Sequence, residues 1–310
     1  MSRIKTLVVS IDTEVDSNPS WRISNPPRFS SVVSGIPNVL APLFHRFGVV
    51  PTYLLSPEVI EDQACVETLL KQSRAELGTH LHADFVEPER RLSLETMGGQ
   101  TNSSLQGEFS REVELAKLRN LTELFQNAFG RAPTSFRSGR YGLTPHTLEG
   151  LADLGYKVDS SVTPGLIWDY SSGALDYREW SVGQRLVQTP AGPIVELPLS
   201  IMPASPLAPI VRDLPRLPRA VFGKLLRPFS QFRWLRPSWH SGAELIRYCE
   251  LSNEDILVMM FHSVEVVEGG SPYSKTGADV ARILRALSQL FEYCGKQGWR
   301  FSGMTAAALS

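Results

Sequence analysis

Much that would mark a chain out is scarce here. Three cysteines, Cys65, Cys249 and Cys294, stand far apart and odd in number, with no C-x-x-C pair. That excludes a zinc ribbon or a disulfide framework and reads as small buried hydrophobes in a reducing compartment. Charge of one sign is missing too. With 31 lysines and arginines against 32 aspartates and glutamates, the formal net charge is -1, and no global field draws nucleic acid. No apolar run approaches the roughly 18 residues needed to span a bilayer. Arg3 and Lys5 precede only a short apolar stretch before Asp12, unlike a secretory signal, so the expected location is cytoplasmic. Asn102 and Asn120 sit in N-x-[ST] triplets, which are then chance matches. No internal repeat points to a solenoid.

What is there suits a globular α/β protein. Hydrophobic residues make up 42% of 310, enough for a sizeable core, and the length fits one domain over 1–310 at the upper end of the usual range. Short apolar runs alternate with helical patterns, the signature of β-α units on a parallel sheet. Strands are predicted at 7–11, 49–55, 77–82, 135–137, 156–159 and 256–262. Pro51 weakens the second of these. A helix is predicted over 110–129, stopped by Gly130. Thr144-Pro145 reads as the start of another. Thr276 with Asp279 reads as a capping box opening the last one. Two stretches, 87–109 and 203–241, lack this rhythm and are candidate lids or substrate-binding insertions.

Sites in parallel α/β folds form at the carboxyl ends of the strands. Here those ends are polar again and again: Asp12 and Glu14, then His80, His82 and Asp84, then Arg137 and Arg140, then Asp159, then His262. Asp12 and Glu14 are two apart on a strand and share a side, as do His80 and His82. Paired carboxylates repel unless a cation intervenes. A carboxylate with two imidazoles is a usual zinc shell that leaves a position for water, and a second carboxylate beside it can take that water's proton. Singly, each has a plainer reading. A strand-end Asp caps helices, a lone His is more often structural, and an Arg pairs with surface carboxylates. The ordered co-occurrence points to amide or ester hydrolysis.

At these residues the chain resembles the polysaccharide deacetylases, carbohydrate esterase family four, also called the NodB-homology domain. Ser10-Ile11-Asp12-Thr13-Glu14 stands for the family's Asp-Asp strand end. Glu76-Leu77-Gly78-Thr79-His80 matches the start of its His motif. Phe136-Arg137-Ser138-Gly139-Arg140-Tyr141-Gly142 echoes its Arg-Pro-Pro-Tyr-Gly run. Gly155-Tyr156-Lys157-Val158-Asp159-Ser160-Ser161 matches its Asp-x-Ser motif, and Val258-Met259-Met260-Phe261-His262-Ser263 its final His strand. The resemblance covers residues 5–305, with least support over 165–255.

The resemblance implies a distorted (β/α) barrel of about seven strands and a mononuclear metal, zinc foremost. It implies Asp12 as base with Arg137 orienting it, and Glu14, His80 and His82 as metal ligands. Asp84 stands where the family's second His is expected and is the alternative ligand. His262 is implied as acid with Asp159 holding its ring. Tyr141 supplies a backbone N–H to the oxyanion, and Arg140 stands beside it as a substrate contact. The expected substrate is an acylated sugar, as polysaccharide or glycolipid precursor. The His-Leu-His and Phe-His-Ser-x-Glu details resemble a bacterial subgroup linked to lipopolysaccharide or exopolysaccharide synthesis. Arg212, Arg216, Arg219, Lys224, Arg227, Arg233 and Arg236, among Leu, Phe and Trp, suit peripheral contact with the inner face of an anionic membrane or an ordinary lid. Two rivals stay open: a metal-free cyclic-amide hydrolase on the same scaffold, and a carbohydrate-binding relative without catalysis.

Overall fold

The computed structural model describes residues 4–310 apart from 103, 171–172, 206, 209 and 211–230. Arg212, Arg216, Arg219, Lys224 and Arg227, at the centre of the 203–241 stretch, lie outside the described residues. The strands are β1 (Thr6–Thr13), β2 (Pro51–Leu55), β3 (Glu76–Leu81), β4 (Ser135–Ser138), β5 (Val158–Asp159), β6 (Ile167–Tyr170), β7 (Gly173–Asp176), β8 (Arg185–Thr189), β9 (Gly192–Glu196), β10 (Ile201–Pro203), β11 (Phe232–Trp234), β12 (Ile256–His262) and β13 (Arg300–Phe301). The α-helices are α1 (Ala41–Phe47), α2 (Pro57–Glu61), α3 (Gln63–Leu70), α4 (Arg111–Phe129), α5 (Pro145–Asp153), α6 (Gly242–Leu251), α7 (Gly277–Lys296) and α8 (Met304–Ala308). No described helix is long and apolar enough to cross a membrane.

Among the described residues the main sheet runs β12-β1-β2-β3-β4-β5-β9-β8, with β13 also beside β1. From β12 through β9 every pairing is parallel, which gives the seven-stranded body of a distorted barrel; β8 closes the path as an antiparallel edge. The six predicted strands are all present. Pro51 is the first residue of β2, where its missing N–H costs no ladder bond. Ser110 caps α4 by accepting from Val113 N–H, and Gly130 ends it at φ +67°. Thr144 and Thr276 open α5 and α7 with capping boxes. The sequence pattern missed the hairpins β6–β7 and β8–β9, the β10–β11 pair and α6.

Side-chain alternation explains where the site falls. All eight residues of β1 are buried, because both faces of the strand are covered. Leu7, Val9 and Ile11 pack outward with the helices, while Val8 packs inward with Leu54, Val158, Val258 and Met260. Successive side chains on a strand point to opposite faces. Ser10 and Asp12 therefore continue the inward row from Val8. On β12 the inward row is Val258, Met260 and His262; on β4 it includes Arg137. The barrel interior is apolar below and turns polar at its carboxyl mouth.

Candidate active site

Strand register brings the polar ends together. Asp12 on β1 is level with His262 on β12, and His80 on β3 is level with Arg137 on β4. Asp12, His80 and His262 open into a cavity of about 410 Å³ lined also by Glu14, Glu58, His82, Arg140 and Tyr141.

The deepest element is an ion pair. Arg137 is fully buried and Nη1 donates to Asp12 Oδ1 at 2.6 Å. Its other nitrogens donate to the Ser160 carbonyl at 2.8 Å, to Ser10 Oγ at 2.9 Å and to Ser160 Oγ at 3.1 Å. Burial alone would raise the Asp12 pKa, but the Arg137, His80 and His262 charges outweigh it and hold the carboxyl below its ordinary value.

Beside this pair stand Glu14, His80 and His82. One donor atom from each lies within 4.8 Å of the others. Glu14 Oε1 is 3.3 Å from Nε2 of both rings. His80 Nδ1 lies 3.0 Å from the Arg137 carbonyl, which requires a proton on Nδ1 and leaves Nε2 directed at Glu14. His82 Nδ1 lies 3.5 Å from Glu58 Oε1. Glu58 is completely buried, and it is one of the residues that sequence reasoning missed. It sits in the first turn of α2 behind Ser56-Pro57, where it reads as an ordinary helix-start acid. Burial lowers the His82 pKa, yet Glu14 and Glu58 push it up to about 10. Burial likewise raises Glu14, but His82 and His262 carry it well below the usual carboxylate range. Two buried carboxylates and the half-buried Glu14 around two imidazoles are a donor set that calls for a cation, and carboxylate–imidazole pairs of the Glu58–His82 kind are how proteins orient metal-ligating rings.

His262 completes the constellation. Nε2 stands 4.0 Å from Asp12 Oδ2 and 3.9 Å from Glu14 Oε1. Nδ1 is 2.9 Å from Glu265 Oε1, and the same oxygen accepts from the His262 N–H at 3.2 Å and from the Arg236 guanidinium. Arg236 Nη2 is itself 3.0 Å from Nδ1, and its guanidinium lies against both the Trp239 and Tyr273 rings, 4.7 and 5.0 Å from their centroids. Burial lowers the His262 pKa, but Glu14 and the Glu265 hydrogen bond raise it overall. Glu265 is brought down to about 2 by Arg236 and His262 against the cost of burial.

Two expected roles are corrected. Asp84 is not in the metal-ligand group: its carboxylate accepts from Ser104 N–H at 3.0 Å and from the Ser104 hydroxyl. After His82 the chain leaves the strand in a tight turn, which carries Asp84 away from the two imidazoles. Buried Lys117 pins that turn through the Ala83 and Val86 carbonyls, at 2.9 and 2.5 Å. Asp159 does not hold His262; Glu265 does. Val158 belongs to the inward cluster, so Asp159 faces the other side of β5. There it accepts from the Ser161 hydroxyl at 2.6 Å, and Ser161 Oγ in turn accepts from Ser138 N–H at 2.8 Å, which supports the 138–141 turn. Tyr141 and Arg140 do reach the cavity wall, both with left-handed backbone at φ +59° and +54°.

Asp159 is level with Glu196 on β9, and both are fully buried. Burial and the neighbouring carboxylate push Glu196 well above its ordinary value. A raised folded pKa means the native state holds a proton the unfolded chain releases. This contribution is full below the unfolded value of 4.5 and is lost as pH rises towards the folded one. Glu196→Gln should therefore raise Tm near pH 8 and leave it unchanged near pH 4.5, as measured by thermal melts across that window. An equal effect at both ends would contradict the raised Glu196 pKa.

No family model and no curated protein sequence matches the chain, whereas solved structures do. A protein from Mycobacterium smegmatis, provisionally named a polysaccharide deacetylase, superposes with TM-score 0.53 at 14% identity over 100% of this chain and 90% of its own. The fold is that of the polysaccharide deacetylases. The Bc1960 peptidoglycan N-acetylglucosamine deacetylase shares this deacetylase fold with TM-score 0.50 at 10% identity, over 98% of this chain and 88% of that one. BA3943 of Bacillus anthracis, a pseudoenzyme of carbohydrate esterase family four, aligns with TM-score 0.47 at 10% identity over 100% of this chain and 67% of that one.

Proposed function

We propose that this protein is a metal-dependent hydrolase that removes an acyl group, an N-acetyl group foremost, from a sugar of a polysaccharide or glycolipid precursor. One observation carries the reading. A Glu14–His80–His82 donor group, a buried Asp12–Arg137 pair and the Glu265-held His262 converge on one cavity. The three donors fit a divalent cation such as zinc, which when bound supplies Lewis acidity and makes water acidic near neutral pH.

The chain's own residues then divide the proton work. Asp12, kept ionised by Arg137, accepts a proton from the attacking water. Arg137 donates to one oxygen of Asp12, so Oδ2, on the His262 side, is the oxygen left to act. His262 gives a proton from Nε2 to the departing sugar nitrogen, while Glu265 holds the ring at Nδ1. The Tyr141 turn forms the wall beside them, where its backbone N–H is proposed to face the oxyanion.

Acetate release from N-acetylated sugars by the zinc-loaded protein tests the reading directly; no release from any of them would contradict it. The acid role has its own signature. Activity requires His262 protonated, so kcat/KM falls as pH rises through a His262 value that lies above 6.5. Glu265→Gln removes a hydrogen bond that favours the protonated ring, so the alkaline limb should move to lower pH. A limb that stays in place would remove Glu265 from this role.

A further inference from the structure

Contacts link residues of the cavity wall and their neighbours into a circuit. The Trp21 and Tyr273 rings are 6.0 Å apart between centroids, Tyr273 and Trp239 5.9 Å, and Trp239 and Trp234 5.3 Å. Trp234 meets Trp168 at 6.3 Å, and Trp168 stacks on Tyr170 at 6.4 Å. Tyr170 in turn carries the Arg140 guanidinium 5.6 Å from its ring centre. Arg140 Nη1 donates to the Asn102 carbonyl at 3.2 Å. Two residues back along the chain, the Gln100 carbonyl accepts from Ile23 N–H at 2.9 Å. Ile23 is two residues from Trp21, which closes the circuit. Asp12, Glu14, His80, His82 and His262 line the same cavity from the strand ends.

An internal unit of a linear polymer leaves its site in two directions, so it needs a groove open at both ends. A closed circuit has one mouth. At about 410 Å³ the cavity is near the lower end of the roughly 300–1,000 Å³ that small-molecule sites occupy. Its aromatic wall suits the apolar faces of a sugar ring. Four of the six tryptophans of the chain stand in it, drawn from separate loops and strands.

We propose that the substrate enters end-on, as the terminal unit of a short saccharide or as one sugar on a small carrier, and that internal units of a polysaccharide are excluded. This rests on the sugar-hydrolase reading above. The test uses N-acetylglucosamine oligomers of one to six units, labelled at one end. The zinc-loaded protein is assayed for acetate release, the deacetylated unit is mapped by mass spectrometry, and quenching of the cavity tryptophans follows binding separately.

The expected result is deacetylation confined to a terminal unit, with kcat/KM and fluorescence titrations alike for dimer and hexamer. Deacetylation of internal units, or kcat/KM rising about tenfold or more from dimer to hexamer, would overturn end-on entry while leaving the hydrolase reading intact. Equal fluorescence response to short and long sugars without acetate release would overturn the hydrolase reading and leave end-on entry standing. A response to the hexamer alone overturns end-on entry, and a response to none overturns both.

Discussion

Asp12→Asn should lower kcat by about a thousandfold, within the range that a positioned general base contributes. The substitution keeps the shape of the side chain and removes its basicity, and the Glu14, His80 and His82 donors are untouched. KM should change little, because the amide still occupies the same wall of the cavity. Retention of more than about a tenth of wild-type kcat would mean that another group takes the water's proton. Glu14 is the one to examine then, because its carboxylate lies 3.9 Å from His262 Nε2.

Arg137→Met should cost about 3–5 kcal/mol of folding stability, the usual penalty for breaking a buried ion pair from one side. The cost arises from what stays behind. Asp12 is 2% exposed and would lose the 2.6 Å partner that offsets its burial. Ser10 Oγ and the Ser160 carbonyl would lose their donors as well. Against a total stability of about 5–15 kcal/mol this is a large share. Denaturant unfolding of the metal-free protein measures it. Adding Asp12→Asn to Arg137→Met should recover part of the loss, because no unpaired charge then remains. A single-mutant cost below about 1 kcal/mol, or no recovery in the double mutant, would contradict the pairing.

The barrel was legible because its strands are buried on both faces. Runs such as 7–11 and 256–262 are then largely apolar, and a titratable residue at their ends stands out. Asp12, Glu14, His80, His82, Arg137 and His262 were found that way, and the structure brings all six together. The strand end alone was not enough for Asp159. Its parity against Val158 turns it outward, and only knowledge of which face Val158 takes would have shown this. Glu265 was within reach, since Phe261-His262-Ser263-Val264-Glu265 was visible as a pattern, and a short turn after β12 lets residue 265 fold back on the His262 ring. Glu58 follows the one early strand whose polar end was passed over. The cavity wall could not be read from periodicity. Trp21, Trp168, Trp234, Trp239 and Tyr273 come from loops and short hairpins that no helical or strand period connects.

The proposed hydrolysis depends on Glu14, His80 and His82 holding a metal. Elemental mass spectrometry of the purified protein, wild type beside His80→Ala, measures that directly. The account predicts about one zinc-like ion per chain in the wild type and its loss in the variant, with both proteins folded by circular dichroism. No metal in the wild type, even after incubation with zinc, or equal metal in both, would contradict it.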